Sequence, residues 1–268
     1  MTVSILGCGW FGRALAAELL AKGYTVKGST TNHEKLVELA ALGIKPYLIN
    51  FPDAAENDPD FFNCDVLVVS IPPKFRKGES GVFLPKVESI INSIERHGIK
   101  HVIYTSSTGV YGDSQGVVNE LVEPQPQDEP GQLLLKAEQA FQSRTNFKTT
   151  IIRFAGLIGP GRHPGRFFAS KKNVPNGLSP VNMVHLDDAV GITLKVIEKA
   201  TWGQVFNACA SSHPSRTGFY TRFTQQLGLP VPEFRNEEAV SKLVESINVL
   251  SQLNYQFKYN DWLNVVLG

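Results

Sequence analysis

Residues 3–12 read VSILGCGWFG, and the three glycines in this stretch constrain the chain more than any other feature. An apolar run from Val3 to Leu6 leads directly into Gly7, Gly9 and Gly12. Apolar residues of helical period follow at Leu15, Ala16, Leu19 and Leu20. A strand, a G-x-G-x-x-G turn and a helix in that order make a dinucleotide-binding turn. Gly7 permits the tight turn, Gly9 lets the backbone approach a pyrophosphate, and Gly12 lets the helix pack closely on the strand. The helix start, Trp10, Phe11, Gly12 and Arg13, then presents free N–H groups to an anion. The same spacing also fits a plain strand–helix junction without a ligand.

Strands and helices alternate through the first 155 residues. Apolar runs place strands at 2–6, 24–28, 46–50, 65–71, 100–105 and 149–155. Residues 83–97 carry Val87, Ile90, Ile91 and Ile94 at helical spacing and close on Gly98. Residues 132–143 carry Leu133, Ala137, Ala140 and Phe141 on one face. Nearly all-apolar strands such as DVLVVSI (65–71) suit a parallel sheet covered on both sides. The expected architecture is α/β, a doubly wound parallel sheet with a small C-terminal lobe. A dinucleotide-binding domain is expected over 1–158 and 181–210. The lobe is expected over 159–180, which is rich in Gly, Pro and basic residues, and over 211–268, lying at the carboxyl edge of the sheet where such folds bind ligands.

Charge and cysteine content narrow the partners. Lys+Arg is 26 against Asp+Glu 25, which gives no electrostatic footprint for nucleic acid or an anionic membrane. No run approaches the roughly 20 apolar residues that a spanning helix needs. Cys8, Cys64 and Cys209 are far apart and odd in number, so they read as buried free thiols, with no metal site, in a cytoplasmic protein.

The end of the second strand bears on the choice of dinucleotide. A carboxylate there would hold a ribose 2′-OH and repel a 2′-phosphate. This chain has Ser29, Thr30 and Thr31 instead, with Arg13 and Lys35 able to add positive charge, so NADP is preferred over NAD. Ser29–Thr31 also fit a polar turn capping the next helix. Asn50 and Phe51 end the third strand where an adenine edge would lie. Ser70, Ile71 and Pro72, with Pro73, end the fourth strand beside the cofactor.

Residues 103–112 read IYTSSTGVYG, a strand ending in the hydroxyls Thr105, Ser106 and Ser107. Together with GCGWFG this resembles the extended short-chain dehydrogenase/reductase family, in its epimerase/dehydratase branch. IIRFAGLIGPGR (151–162), VNMVHLDDAV (181–190) and FNACASSHPSRTGFY (206–220) resemble later segments of the family in the expected order, so the likeness covers nearly the whole chain. VVSIPP (68–73) and LLLKAEQAF (133–141) point to an atypical subgroup. The resemblance implies an NAD(P)-binding Rossmann fold and oxidoreductase or epimerase/dehydratase chemistry on a small polar, sugar-like substrate. It also implies a Ser, Tyr and Lys constellation and, as is common in the family, a homodimer through the helices at 83–97 and 132–143.

In that family the tyrosine exchanges a proton with the substrate, and the lysine holds the nicotinamide ribose and lowers the tyrosine pKa. By the resemblance Ser107 takes the serine role, with Thr108 beside it at the substrate, and Lys136 takes the lysine role. Gln132 stands where the tyrosine belongs, and no tyrosine occurs from 112 to 219. A glutamine amide bonds a carbonyl but relays no proton near neutral pH. Three readings stay open: Tyr111, Asp113, His163 or a water supplies the proton; the chemistry needs only positioning and hydride transfer; or the chain is a non-catalytic NADP(H)-binding sensor or scaffold.

Arg162 and His163, in a glycine-broken basic loop, fit either a grip on a substrate phosphate or carboxylate or a solvated loop. His185–Asp188 reads as a helix start capped by aspartate. Trp202, Tyr255, Phe257, Tyr259 and Trp262 read as packing for the small lobe.

Overall fold

A computed structural model of the chain describes residues 1–51, 58–71 and 80–267. The central sheet contains β1 (Thr2–Leu6), β2 (Thr25–Thr30), β3 (Lys45–Leu48), β4 (Val66–Val69), β5 (His101–Ser107), β7 (Lys148–Phe154) and β10 (Val205–Ala208). Two short pairs stand apart from it, β6 (Val117–Val118) with β11 (Leu243–Val244) and β8 (Gly156–Ile158) with β9 (Met183–His185). The helices are α1 (Trp10–Ala21), α2 (Lys35–Ala41), α3 (Pro59–Phe62), α4 (Ser80–Arg96), α5 (Glu129–Gln142), α6 (Leu186–Lys199), α7 (Arg216–Gln226) and α8 (Ile247–Leu253). None of them is long and apolar enough to cross a membrane.

The sheet order is β10-β7-β5-β4-β1-β2-β3, and every neighbouring pair is parallel. The chain winds outward from β1 through β2 to β3, then returns to β4 and winds the other way. That reversal leaves a crevice at the carboxyl ends of β1 and β4, the topological switch point where open α/β sheets bind ligands. Val66, Leu67, Val68 and Val69 are all fully enclosed, as a strand covered on both faces requires. The helix pairs α1–α6 and α4–α5 supply the cover. On α4 the buried stripe is Phe83, Val87, Ile90, Ile91 and Ile94.

The start of α5 depends on two local features. Asp128 caps it by accepting the Gly131 N–H at 2.9 Å, and Gly131 allows close approach. A β-carbon at 131 would lie 2.6 Å from the Gly109 carbonyl oxygen and 2.7 Å from Pro126 Cβ. The helix therefore begins hard against the turn that follows β5.

A second, smaller apolar cluster gathers Ile158, Val181 and Met183 with Phe219, Tyr220, Phe223 and Trp262. Trp202 does not join it: it stacks on His101 at the amino-terminal edge of the sheet, centroids 4.5 Å apart. Tyr255 packs on the main core, Phe257 packs on both clusters, and Tyr259 packs on the smaller one. The cap of α6 also differs from expectation. His185 Nδ1, not an aspartate, accepts the Asp187 N–H at 3.2 Å. Asp188 instead anchors the C-terminal segment, accepting from Tyr255 OH, Lys258 N–H and Tyr259 N–H.

Candidate functional site

The glycine turn sits at the switch point with its geometry set by three contacts. Gly7 has φ +89°, and a β-carbon there would lie 2.5 Å from the Ser70 carbonyl oxygen. Its N–H donates to Ser29 Oγ at 2.9 Å, and the Cys8 N–H donates to Ser29 O at 2.8 Å. The Ser29 hydroxyl thus ties β2 to the turn. Gly9 precedes α1 without a side chain to cap the first N–H groups, which leaves them for an anion. A β-carbon on Gly9 would meet only the Gly7 carbonyl, at 4.0 Å. At Gly12 the gap is close, 3.0 Å to Gly7 O and 3.1 Å to Ile5 Cγ2, so the helix is seated on the strand.

A cleft of about 600 Å³ opens here. Gly7, Gly9, Trp10, Phe11, Gly12, Arg13, Ser29, Thr30, Thr31, Asn50, Phe51, Ser70 and Ile71 all line it. Pro72 lies outside the described residues. Cys8 lines it too, but burial pushes its thiol up to about 12, so it stays protonated and unreactive. Four cations reach the cleft, Arg13, Lys35, Lys86 and Arg162, and no carboxylate does among the described residues. Arg13 is shared with Glu38 at 3.0 Å on the exposed rim. Arg162 lies over the Trp10 ring, 4.9 Å from its centroid, while the Trp10 Nε1–H donates to Pro160 O at 2.8 Å. That clasp closes the 159–162 loop over the start of α1.

The inner wall carries the hydroxyls of β5. Ser107 lines the cleft, and its Oγ accepts the Gly109 N–H at 3.1 Å. Thr105 Oγ1 donates to Val69 O at 3.3 Å. Ser106 also lines the cleft, and its buried Oγ has no hydrogen-bond partner. Thr108 is buried in the turn after β5 and does not reach the cleft. Tyr104 and Lys86 are lining residues that local pattern did not reveal. Burial, helped by the charge of Glu138, holds the Tyr104 phenol well above its usual range.

The structure does not bring Gln132 or Lys136 to the cleft. Both are exposed, and Leu134 is the residue α5 turns inward. Successive helical residues turn by roughly 100°, so position 136 lies about 200° from position 134. Gln132→Ala and Lys136→Ala are therefore expected to leave dinucleotide affinity within about twofold of wild type, as for other exposed positions. A tenfold loss in a fluorescence titration would contradict this placement.

The three side chains named as substitute proton donors are also elsewhere. The Tyr111 hydroxyl is buried and accepts from Arg153 Nη1 at 2.7 Å, and burial raises its pKa. Asp113 pairs with Lys242 at 2.9 Å on the surface. His163 Nδ1 accepts the Gly165 N–H at 3.2 Å, with the ring edge-on to Phe223 in the lobe. Burial and the neighbouring Arg166 charge lower its pKa.

A parallel doubly wound sheet that opens its switch point onto an uncapped glycine turn defines a dinucleotide-binding protein. Residues 7–180 match the NAD(P)H-binding family, and the chain belongs to it. Over 265 residues it is 35% identical to Protein YeeZ of Escherichia coli (strain K12), covering 97% of this chain and 96% of that one. A conserved protein of unknown function from Silicibacter pomeroyi superposes with a TM-score of 0.81 at 23% identity, covering 98% of this chain and 95% of that one. UDP-glucose 4-epimerase from Thermotoga maritima, solved with UDP-glucose, superposes with a TM-score of 0.81 at 19% identity, covering 96% and 94%. The fold is that of the nucleotide-sugar epimerases and short-chain dehydrogenase/reductases.

Proposed function

We propose that the protein binds NADP(H) in this cleft and transfers hydride to or from a small polar, sugar-like substrate held against Ser107. The observation that carries the reading is the charge of the lining. Arg13, which is shared with Glu38 on the rim, and Lys35 line the cleft together with Thr30 and Thr31 at the end of β2, and no carboxylate lines it among the described residues. A 2′-phosphate gains charge-assisted contacts there, whereas NADH offers no group to use them. The uncapped start of α1 takes the pyrophosphate, and Ser107 stands at the end of β5 on the opposite side of the switch point.

Fluorescence titration with NADPH and NADH tests this. NADPH is expected to bind at least about tenfold tighter, the worth of one charge-assisted hydrogen bond. Equal affinities would overturn the preference, and no binding of either by folded protein would overturn the cofactor reading.

A second reading, a non-catalytic NADP(H) sensor, draws support from one observation. Leu134 faces the cleft from α5, and Gln132 and Lys136 face away, so no proton-transfer pair reaches the cleft from that helix. Bound NADPH that stays reduced across a panel of aldehydes and keto-sugars would favour the sensor. Its oxidation by any of them would exclude it.

A further inference from the structure

We propose that Lys86 and Ser106 form an anion-binding subsite at the substrate end of the cleft, so that the ligand placed beside the cofactor carries a carboxylate or phosphate group. This rests on the cleft being the NADP(H) site and names the class of its substrate.

Lys86 projects from α4, half-buried, and lines the cleft. It has no salt bridge or hydrogen bond among the described residues. Other lysines with reduced exposure are paired: Lys27 with Asp60 and Lys242 with Asp113. An ammonium drawn partly out of water without a counter-ion is a cost that a bound anion removes. Ser106 presents a matching anomaly. It is 7% exposed, and its Oγ bonds to nothing in the chain, although buried hydroxyls are nearly always satisfied. Thr105 and Ser107, on the opposite face of β5, use their hydroxyls within the chain. Ser106 is the hydroxyl of this strand end left for a ligand.

The surroundings favour an anion. Leu134 supplies an apolar wall, which strengthens any charge contact beside it. The carboxylate that acts on Tyr104, Glu138, is already closed by Arg153 through contacts of 2.6 to 3.2 Å, so it does not compete for Lys86. The cofactor's own phosphates have other partners across the switch point, the start of α1 with Arg13 and Lys35. Lys86 comes instead from the connection between β4 and β5, on the side where Ser106 and Ser107 end their strand.

The test uses the full chain saturated with NADPH and titrated separately with inorganic phosphate and acetate, reading the thermal unfolding midpoint and the fluorescence of bound NADPH. At least one anion is expected to raise the midpoint saturably without displacing NADPH, and whichever acts identifies the group as phosphate or carboxylate. Lys86→Met is expected to weaken that anion by about tenfold, Ser106→Ala by less, and Lys86→Arg to retain it, since one charge-assisted bond is at stake. In Lys86→Met the loss of NADPH affinity is expected to be smaller than the loss of anion affinity. An absent anion response in wild type, an undiminished one in Lys86→Met, or a loss of NADPH affinity in that variant as large as its loss of anion affinity would each overturn the proposal. Failure of wild type to bind NADPH at all would instead overturn the function on which it rests.

Discussion

Glu138→Ala is expected to lower stability by about 3–5 kcal/mol, the usual cost of stranding one member of a buried ion pair. Glu138 is fully enclosed and Arg153 is 5% exposed. The Arg153 Nε–H lies 3.1 and 3.2 Å from the two carboxylate oxygens, and Nη2 donates at 2.6 Å. Nη1 donates to the Tyr111 hydroxyl, whose single proton goes to Asn119 O at 2.9 Å or to Asn207 Oδ1 at 3.2 Å. Removing the carboxylate leaves a guanidinium in the core with a phenol as its remaining partner. Glu138→Gln keeps the volume and one acceptor and is expected to lose less. The measurement is urea unfolding followed by circular dichroism, with a thermal midpoint lowered by roughly 6–20 °C for a chain of this size. A loss below about 1 kcal/mol would show that the pair is not stranded by the change. The pair also joins α5 to β7, and through Tyr111 to the turn after β5. The variant is therefore expected to bind NADPH more weakly as the Leu134 wall loosens.

That pair also shows where local reading stops. The glycine turn was legible because its whole argument lies within ten residues, and the strand runs were legible because a doubly covered sheet leaves continuous apolar segments. The phase of α5 was legible only in part. Its buried stripe is Gly131, Leu134, Ala137, Glu138 and Phe141, and a glutamate in the middle of a stripe reads as solvent-facing until Arg153, on another strand, is known to meet it. The apolar spacing Leu133, Ala137, Ala140 and Phe141 shares Ala137 and Phe141 with that stripe, whereas the resemblance that puts Gln132 and Lys136 at the site points to the side of the helix nearly opposite Leu134. Lys86 and Tyr104 are each unremarked in their own segments, and α4 and β5 come together only in the packed molecule, whereas Ser106 already stands among the strand-end hydroxyls of IYTSSTGVYG. The start of α6 failed differently. Asp187 and Asp188 have the residue type that caps helices, but Asp188 is committed to the backbone of 258–259, which lies far along the chain, and His185 fills the vacancy.

Gly7→Ala and Gly9→Ala are expected to separate what the turn does for the fold from what it does for the ligand. At Gly7 the left-handed backbone costs a side-chain residue about 1–3 kcal/mol. The added methyl meets the Ser70 carbonyl at 2.5 Å. Neither side can give way, because β1 and β4 are locked in register at Leu6 and Val69, and the Ser70 N–H donates to Leu6 O at 2.8 Å. Overpacking of that kind adds about 1–3 kcal/mol, so the variant is expected to lose roughly 2–6 kcal/mol and, with its Ser29 contact displaced, its cofactor. Gly9 has no such neighbour: its methyl would meet only Gly7 O at 4.0 Å. Gly9→Ala is expected to unfold within about 2 °C of wild type, since it makes no clash in the folded chain. Its NADPH affinity is nevertheless expected to fall at least about tenfold, or 1.4 kcal/mol, because the methyl stands where the pyrophosphate meets the backbone. If Gly9→Ala bound NADPH like wild type, the dinucleotide would have to lie elsewhere. If Gly7→Ala were as stable as wild type, the turn would have to differ from the one described. The paired result discriminates because one substitution is closed off by the chain itself and the other only by the ligand.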